Sequence, residues 1–108
     1  MHDFVMVARL AELPDNGGLE VRVAGRTIGL FKSEGEVFAI DNECPHRGGP
    51  LHEGLLEGCE VVCPWHGWTF HLKTGECTFV QGIRVAGYPV RVEDGKVLVS
   101  PTPRAAKP

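Results

Sequence analysis

No stretch of this 108-residue chain comes near the roughly 20 consecutive apolar residues that a membrane-spanning helix needs. The opening residues, Met1-His2-Asp3-Phe4, carry neither a basic segment nor a long apolar one. They do not read as a secretory leader, and a cytoplasmic location is expected. Basic residues are scarce: 11 lysines and arginines stand against 14 aspartates and glutamates, a formal net charge of −3. Arg104 and Lys107 both fall at the C-terminal end, so residues 1–100 carry nine basic and fourteen acidic side chains. That balance argues against nucleic acid or an anionic membrane as partner and suits an encounter with a basic patch on another protein. Helical periodicity is nowhere sustained, and there is no internal repeat. Also missing are a Ser-His-Asp set, a phosphate-binding glycine loop and a carboxylate pair placed for acid–base work; Gly17-Gly18 reads as an ordinary turn. Nothing in the chain calls for a substrate of its own, and it is not expected to be an enzyme.

What the chain does have is punctuation. Fourteen glycines and eight prolines cut it into short pieces, and the pieces have strand character. Strands are expected over residues 4–9, 19–23, 27–31, 37–40, 60–62, 69–72, 77–80, 88–93 and 96–100. Residues 19–23 alternate apolar and polar at period two, as a half-buried strand does. Ser33-Glu34-Gly35-Glu36 and Asp94-Gly95 read as hairpin turns, and residues 51–58 as a short turn. The expected architecture is all-β, an antiparallel β-sandwich over residues 1–100. Residues 101–108, rich in proline and alanine, form a flexible tail.

Two segments concentrate the chemistry: Cys44-Pro45-His46 and Cys63-Pro64-Trp65-His66, with sixteen residues between His46 and Cys63. Each offers one thiolate and one imidazole, and glycines follow at Gly48, Gly49 and Gly67. Structural zinc sites favour paired cysteines and paired histidines, which these segments do not form. A disulfide framework suits an oxidising compartment for which the sequence gives no sign. Two thiolates and two imidazoles do match the ligand set of a Rieske [2Fe–2S] centre, in which the cysteines hold one iron and the histidines the other. Replacing two thiolates by neutral imidazoles leaves less negative charge for an added electron to meet. The reduction potential then rises by roughly hundreds of millivolts over an all-cysteine cluster. Glycines beside the ligands let backbone N–H groups approach the sulfides, and Pro45 and Pro64 stiffen the loops.

From Glu43 to Phe70 the chain resembles the Rieske ferredoxin family, with Cys44-Pro-His46-Arg-Gly-Gly-Pro-Leu51 similar to its first cluster loop and Cys63-Pro-Trp-His66-Gly-Trp-Thr-Phe70 to its second. A weaker likeness extends over residues 88–99. The resemblance implies a Rieske-type sandwich with a cluster-binding loop subdomain, and one [2Fe–2S] cluster on Cys44, His46, Cys63 and His66. It further implies a monomeric one-electron carrier that meets a flavoprotein reductase and a terminal oxygenase transiently. The small subunit of an NAD(P)H nitrite reductase, bound to a large subunit, is the alternative. Respiratory Rieske proteins carry extra loop cysteines where this chain has Gly49 and Trp65, and hydroxyl donors where it has Trp68 and Phe70. A low-potential centre is expected, near the lower end of the Rieske range of about −150 to +300 mV. Many family members cover the cluster with a proline-bearing third loop, whereas residues 80–86 here contain no proline.

Other residues have two readings each. Cys59, four before Cys63, is either an alternative ligand or a small apolar residue, and Cys77 is read the second way. His52 sits on a docking rim or is an ordinary surface histidine, and His71 faces solvent. Arg47 contacts a partner or steadies its loop. Trp65 is expected at the loop surface, Trp68 inward, and Leu51 as a screen beside the first loop.

Overall fold

The computed structural model describes residues 4–45, 48–65 and 67–103. Its strands are β1 (Val5–Arg9), β2 (Gly18–Val23), β3 (Arg26–Ser33), β4 (Glu36–Asp41), β5 (Leu55–Glu57), β6 (Glu60–Val62), β7 (Thr69–His71), β8 (Gly87–Tyr88), β9 (Val90–Glu93) and β10 (Lys96–Val99), with 3-10 turns at Leu10–Glu12 and Leu51–Glu53. They form three antiparallel sheets in the orders β1-β10-β9, β2-β3-β4-β8 and β5-β6-β7. The expected all-β sandwich is present. Among the described residues no helix is long and apolar enough to cross a membrane.

The β2-β3-β4-β8 sheet is the middle layer, because side chains alternate across a strand and both of its faces are apolar. Ile28 and Leu30 of β3 and Ala39 of β4 pack with Ala8, Val97 and Val99 of the first sheet. Phe31, Phe38 and Ile40 point the other way and join Val61, Phe70 and Leu72 of the third sheet. The register Leu30↔Ala39 and Phe31↔Phe38 places each set on a common face. This is why β3 reads as an almost unbroken apolar run where β2 alternates. Burying each of these side chains stabilises the fold by about 1.5–3 kcal/mol. Two-residue turns join consecutive strands at Ala24-Gly25, Glu34-Gly35 and Asp94-Gly95, each with positive φ at both positions. Their twist matches that of the strands they connect.

Four expectations are corrected. Residues 77–80 are not a strand: Cys77 makes an isolated bridge to Phe70, and the chain then bends away, leaving Phe79 67% exposed. The alternation there mimics a strand that has no partner edge to join. The expected strand over 88–93 is two strands in different sheets, divided at Pro89, which lacks the N–H to continue a ladder. Residues 51–58 hold a 3-10 turn and the edge strand β5, not a single turn. Gly18 is no ordinary turn residue: it opens β2, and a Cβ there would come within 2.5 Å of the Phe31 ring and 3.0 Å of the His52 Cα. Of the expected tail, residues 104–108 lie outside the described residues.

Gly54 is the tightest point between the 3-10 turn and the third sheet, since a Cβ there would lie 1.9 Å from the Val62 carbonyl oxygen. Backbone cannot yield as a side chain does. Gly54→Ala is expected to cost at least the upper part of the 1–3 kcal/mol typical of overpacking, about 3 kcal/mol. Gly25→Ala, in open space but at φ +79°, is expected to cost about 1–2 kcal/mol. Urea unfolding of the two variants beside the parent checks the order.

Candidate metal centre

Both cysteines of the two motifs sit at the same place in the same kind of turn. In the first loop Cys44 N–H donates to the Gly49 carbonyl (2.9 Å) and Gly48 N–H to the Cys44 carbonyl (2.7 Å). In the second, Cys63 N–H donates to the Trp68 carbonyl (2.7 Å) and Gly67 N–H to the Cys63 carbonyl (3.0 Å). Gly48 and Gly67 occupy equivalent positions at φ +75° and +79°, where a side chain would be strained. Both segments read Cys-Pro-x-x-Gly, and the equivalent hydrogen bonds give that shared pattern its structural meaning. The histidines fall at different steps of it, two residues after Cys44 and three after Cys63. His46 and His66, like Arg47, lie outside the described residues.

The turns are launched from different sheets. The first leaves β4 and is closed at its base by the Glu43–Pro50 bridge, whereas the second connects β6 to β7. They nevertheless meet, because a Cβ on Gly49 would lie 2.8 Å from the Cys63 Sγ. Cys44 is 2% exposed and Cys63 1%, and both belong to one apolar cluster with Leu51, Val61 and Phe70. A bound metal favours the thiolate form of a cysteine. Two buried cysteines of one apolar cluster, each in a sequence motif that also holds a histidine, fit an iron–sulfur cluster on donor chemistry.

Asn42 anchors the first loop, and sequence reasoning missed it. It is 2% exposed and reaches three segments, β2, β3 and the 3-10 turn at Leu51–Glu53. Its backbone N–H donates to the Thr27 carbonyl and its carbonyl accepts from Leu51 N–H (2.7 Å). Its Oδ1 accepts from His52 N–H (2.8 Å), and its Nδ2 donates to Glu20 Oε2 (3.3 Å) and lies 2.9 Å from His52 Nδ1. The two ends of the loop are thereby tied to each other and to the middle sheet. His52 is accordingly partly buried against Asn42, so it is not an ordinary surface histidine.

Asp41 plays the matching part for residues 78–86. Its Oδ2 accepts from Ala86 N–H (3.0 Å) and its Oδ1 from the Tyr88 hydroxyl (2.5 Å). Cys77 N–H to Ile83 carbonyl (2.9 Å) and Val85 N–H to Gly75 carbonyl (2.8 Å) close this loop without proline. The Tyr88 phenol is pushed up to about 12, chiefly by burial, with Asp41 adding to the effect and Arg26 opposing it.

The remaining candidates separate clearly. Trp65 is 62% exposed, Trp68 packs against the apolar cluster, and Leu51 is fully buried, all as expected. His71 is partly buried, its Nδ1 accepting from Lys73 N–H (3.3 Å). Cys59 lies in the turn between β5 and β6, and burial pushes its thiol pKa up, with Lys73 opposing. Cys77 is buried beside Phe70, and none of the four cysteines is in a disulfide.

Residues 3–89 match the family described as the Rieske [2Fe–2S] domain. The chain belongs to that family. The Rieske domain is 39% identical over 93 residues to the ferredoxin component of the naphthalene 1,2-dioxygenase system of Pseudomonas aeruginosa, covering 83% of this chain and 88% of the relative. It superposes on the ferredoxin of carbazole 1,9a-dioxygenase from Nocardioides aromaticivorans IC177 with a TM-score of 0.84 at 29% identity, covering 92% of this chain and 98% of the other. A Mycobacterium tuberculosis chain named for an NADH-dependent nitrite reductase small subunit gives a TM-score of 0.86 at 24% identity over 99% of each chain, a likeness of fold. The domain carries a [2Fe–2S] cluster and serves as an electron carrier, not as an enzyme in its own right.

Replacing Asn42 by Ala would strand His52 N–H and loosen the loop base. It is expected to cost about 2–3 kcal/mol, read from denaturant unfolding. The sign of the Tyr88 effect follows from its raised pKa. The unfolded tyrosine, near pH 10, loses its proton before the folded one does. Its contribution to stability is therefore whole below about pH 10 and is lost as pH rises towards about 12. The stability advantage of the parent over Tyr88→Phe, measured at stepped pH, should shrink across that window and be level below it.

Proposed function

We propose that Cys44 and Cys63 hold one iron of the cluster and His46 and His66 the other. We propose further that this domain, spanning residues 1–100 and acting as a monomer in the cytoplasm, passes single electrons from a flavoprotein reductase to a terminal oxygenase of the ring-hydroxylating type. The observation that supports the ligand assignment is the pair of turns closed by equivalent hydrogen bonds, each starting at a cysteine buried in the same apolar cluster, with Gly49 of the first against the Cys63 sulfur of the second. The oxygenase assignment draws on the dioxygenase-system ferredoxin to which the chain is 39% identical. Buried thiols kept as metal ligands suit a reducing compartment.

The bound cluster supplies reversible one-electron chemistry at a potential set by its ligands and surroundings. The protein's part is to hold and to screen. Asn42 and the 3-10 turn fix one loop, and the β6–β7 connection fixes the other. The apolar cluster behind the cysteines keeps water from their inner side. Acidic residues outnumber basic ones over the chain, which suits brief, salt-sensitive meetings with partners.

Spectra and potentials of reconstituted variants test the ligand set. Cys44→Ser and Cys63→Ser should lose the cluster absorption, and Cys59→Ala should keep it. His46→Cys should lower the midpoint by a few hundred millivolts, towards the roughly −400 mV of all-cysteine ferredoxins. An unchanged midpoint would sink the histidine assignment. Retention from host lysate on the loaded, tagged protein tests the partner. Weak retention of a flavoprotein reductase is expected, whereas stoichiometric co-elution of a sirohaem- and flavin-bearing chain would replace the oxygenase reading by that of a nitrite reductase subunit.

A further inference from the structure

Trp65 is a large apolar side chain left 62% exposed one turn away from a cysteine that is 1% exposed. One edge of its indole is engaged. A Cβ on Gly49 would lie 3.2 Å from both Cγ and Cδ2 of Trp65 and 2.8 Å from the Cys63 Sγ. The bare backbone of the first loop, the indole and the sulfur thus converge on one point. Beside them opens a groove of about 410 Å³ lined by Leu55, Val62, Cys63, Pro64, Trp65 and Gly67, among others. Water in that groove has a short path to the sulfur unless the seam is closed.

We propose that Trp65 is the seal of that seam. Its indole lies across Gly49, keeps water from the Cys63 sulfur, and by doing so lowers the midpoint potential of the cluster; the proposal rests on Cys63 being a ligand. Reduction adds negative charge at the site. Water stabilises that charge and an apolar cover does not, so excluding water favours the oxidised form. Gly49 is the counterpart of Trp65, because any side chain there meets both the sulfur and the indole. Trp65 is thus a positioning and screening residue and leaves the ligand set untouched. A surface tryptophan that serves only to meet a partner would change affinity and leave the midpoint where it was.

The test compares Trp65→Ala, Trp65→Phe, Gly49→Ala and Cys63→Ser with the parent, each cluster-loaded and checked by absorption and EPR before titration. Trp65→Ala should raise the midpoint by about 30 mV or more, which is about threefold in the reduction equilibrium of a one-electron couple. It should also lose iron to a hydrophilic chelator several-fold faster. Trp65→Phe, which keeps an aromatic cover, should stay near the parent on both counts. Gly49→Ala, by displacing the indole, should move the midpoint in the same direction as Trp65→Ala. If Cys63→Ser loses the cluster but Trp65→Ala matches the parent in midpoint and chelation rate, the seal is overturned and the ligand reading stands. If Cys63→Ser keeps the parent's cluster, the ligand reading falls, and the seal with it.

Discussion

Two loops that belong to different sheets each start at a cysteine buried in one apolar cluster, and the rest of the molecule is arranged around that meeting. Neither loop has regular structure to hold it. Each is instead closed at its base by a pair of backbone hydrogen bonds, one of them from a glycine in the left-handed region. Where the turns touch, only glycine is tolerated, because the space a Cβ would need is taken by the Cys63 sulfur. A cluster potential is sensitive to small changes in water access and in nearby dipoles, so such a site needs stiffness more than it needs many contacts.

The stiffness comes from the middle sheet. One of its faces is spent on the scaffold, against the first sheet, and the other forms the floor beneath the cysteines. Consecutive residues have separate duties where β4 ends: Asp41, its last residue, receives the returning chain at Ala86 and Tyr88, and Asn42, just past it, receives Leu51 and His52. Both anchors are polar groups placed where a backbone N–H would otherwise be left without a partner, so each satisfies a donor and fixes a loop together. The apolar seal at Trp65 and the polar anchors divide the work. Asn42 sets where the first loop stands, Asp41 fixes the chain returning at residues 86–88, and the indole governs what reaches the sulfur between the loops.

How much of this could be read beforehand differs residue by residue. Cys44, His46, Cys63 and His66 stood out because metal ligation restricts residue type at short spacing. The Asp94-Gly95 and Glu34-Gly35 turns were visible for the same reason: few residue pairs accept positive φ twice in succession. Asn42 was invisible, since its side-chain partners stand ten and 22 residues away and an asparagine after a strand looks like any turn former. Residues 77–80 misled because alternation records which side chains are apolar and is silent on whether a neighbouring edge exists to bond to. The break at Pro89 was legible in principle, but nothing local told which sheet would take each half.

The sequence by itself determined the candidate ligand set, the all-β class and most of the places where the chain turns, because those depend on residue type and on spacing over a few positions. Only the tertiary structure decided that the middle sheet would bury both faces, that Asn42 and Asp41 would anchor the loops, and that Gly49, Trp65 and the Cys63 sulfur would meet at one seam. The reason is physical. Burial and hydrogen-bond partnership are set by what lies across a sheet or between loops, and the packing of residues far apart along the chain chooses those neighbours.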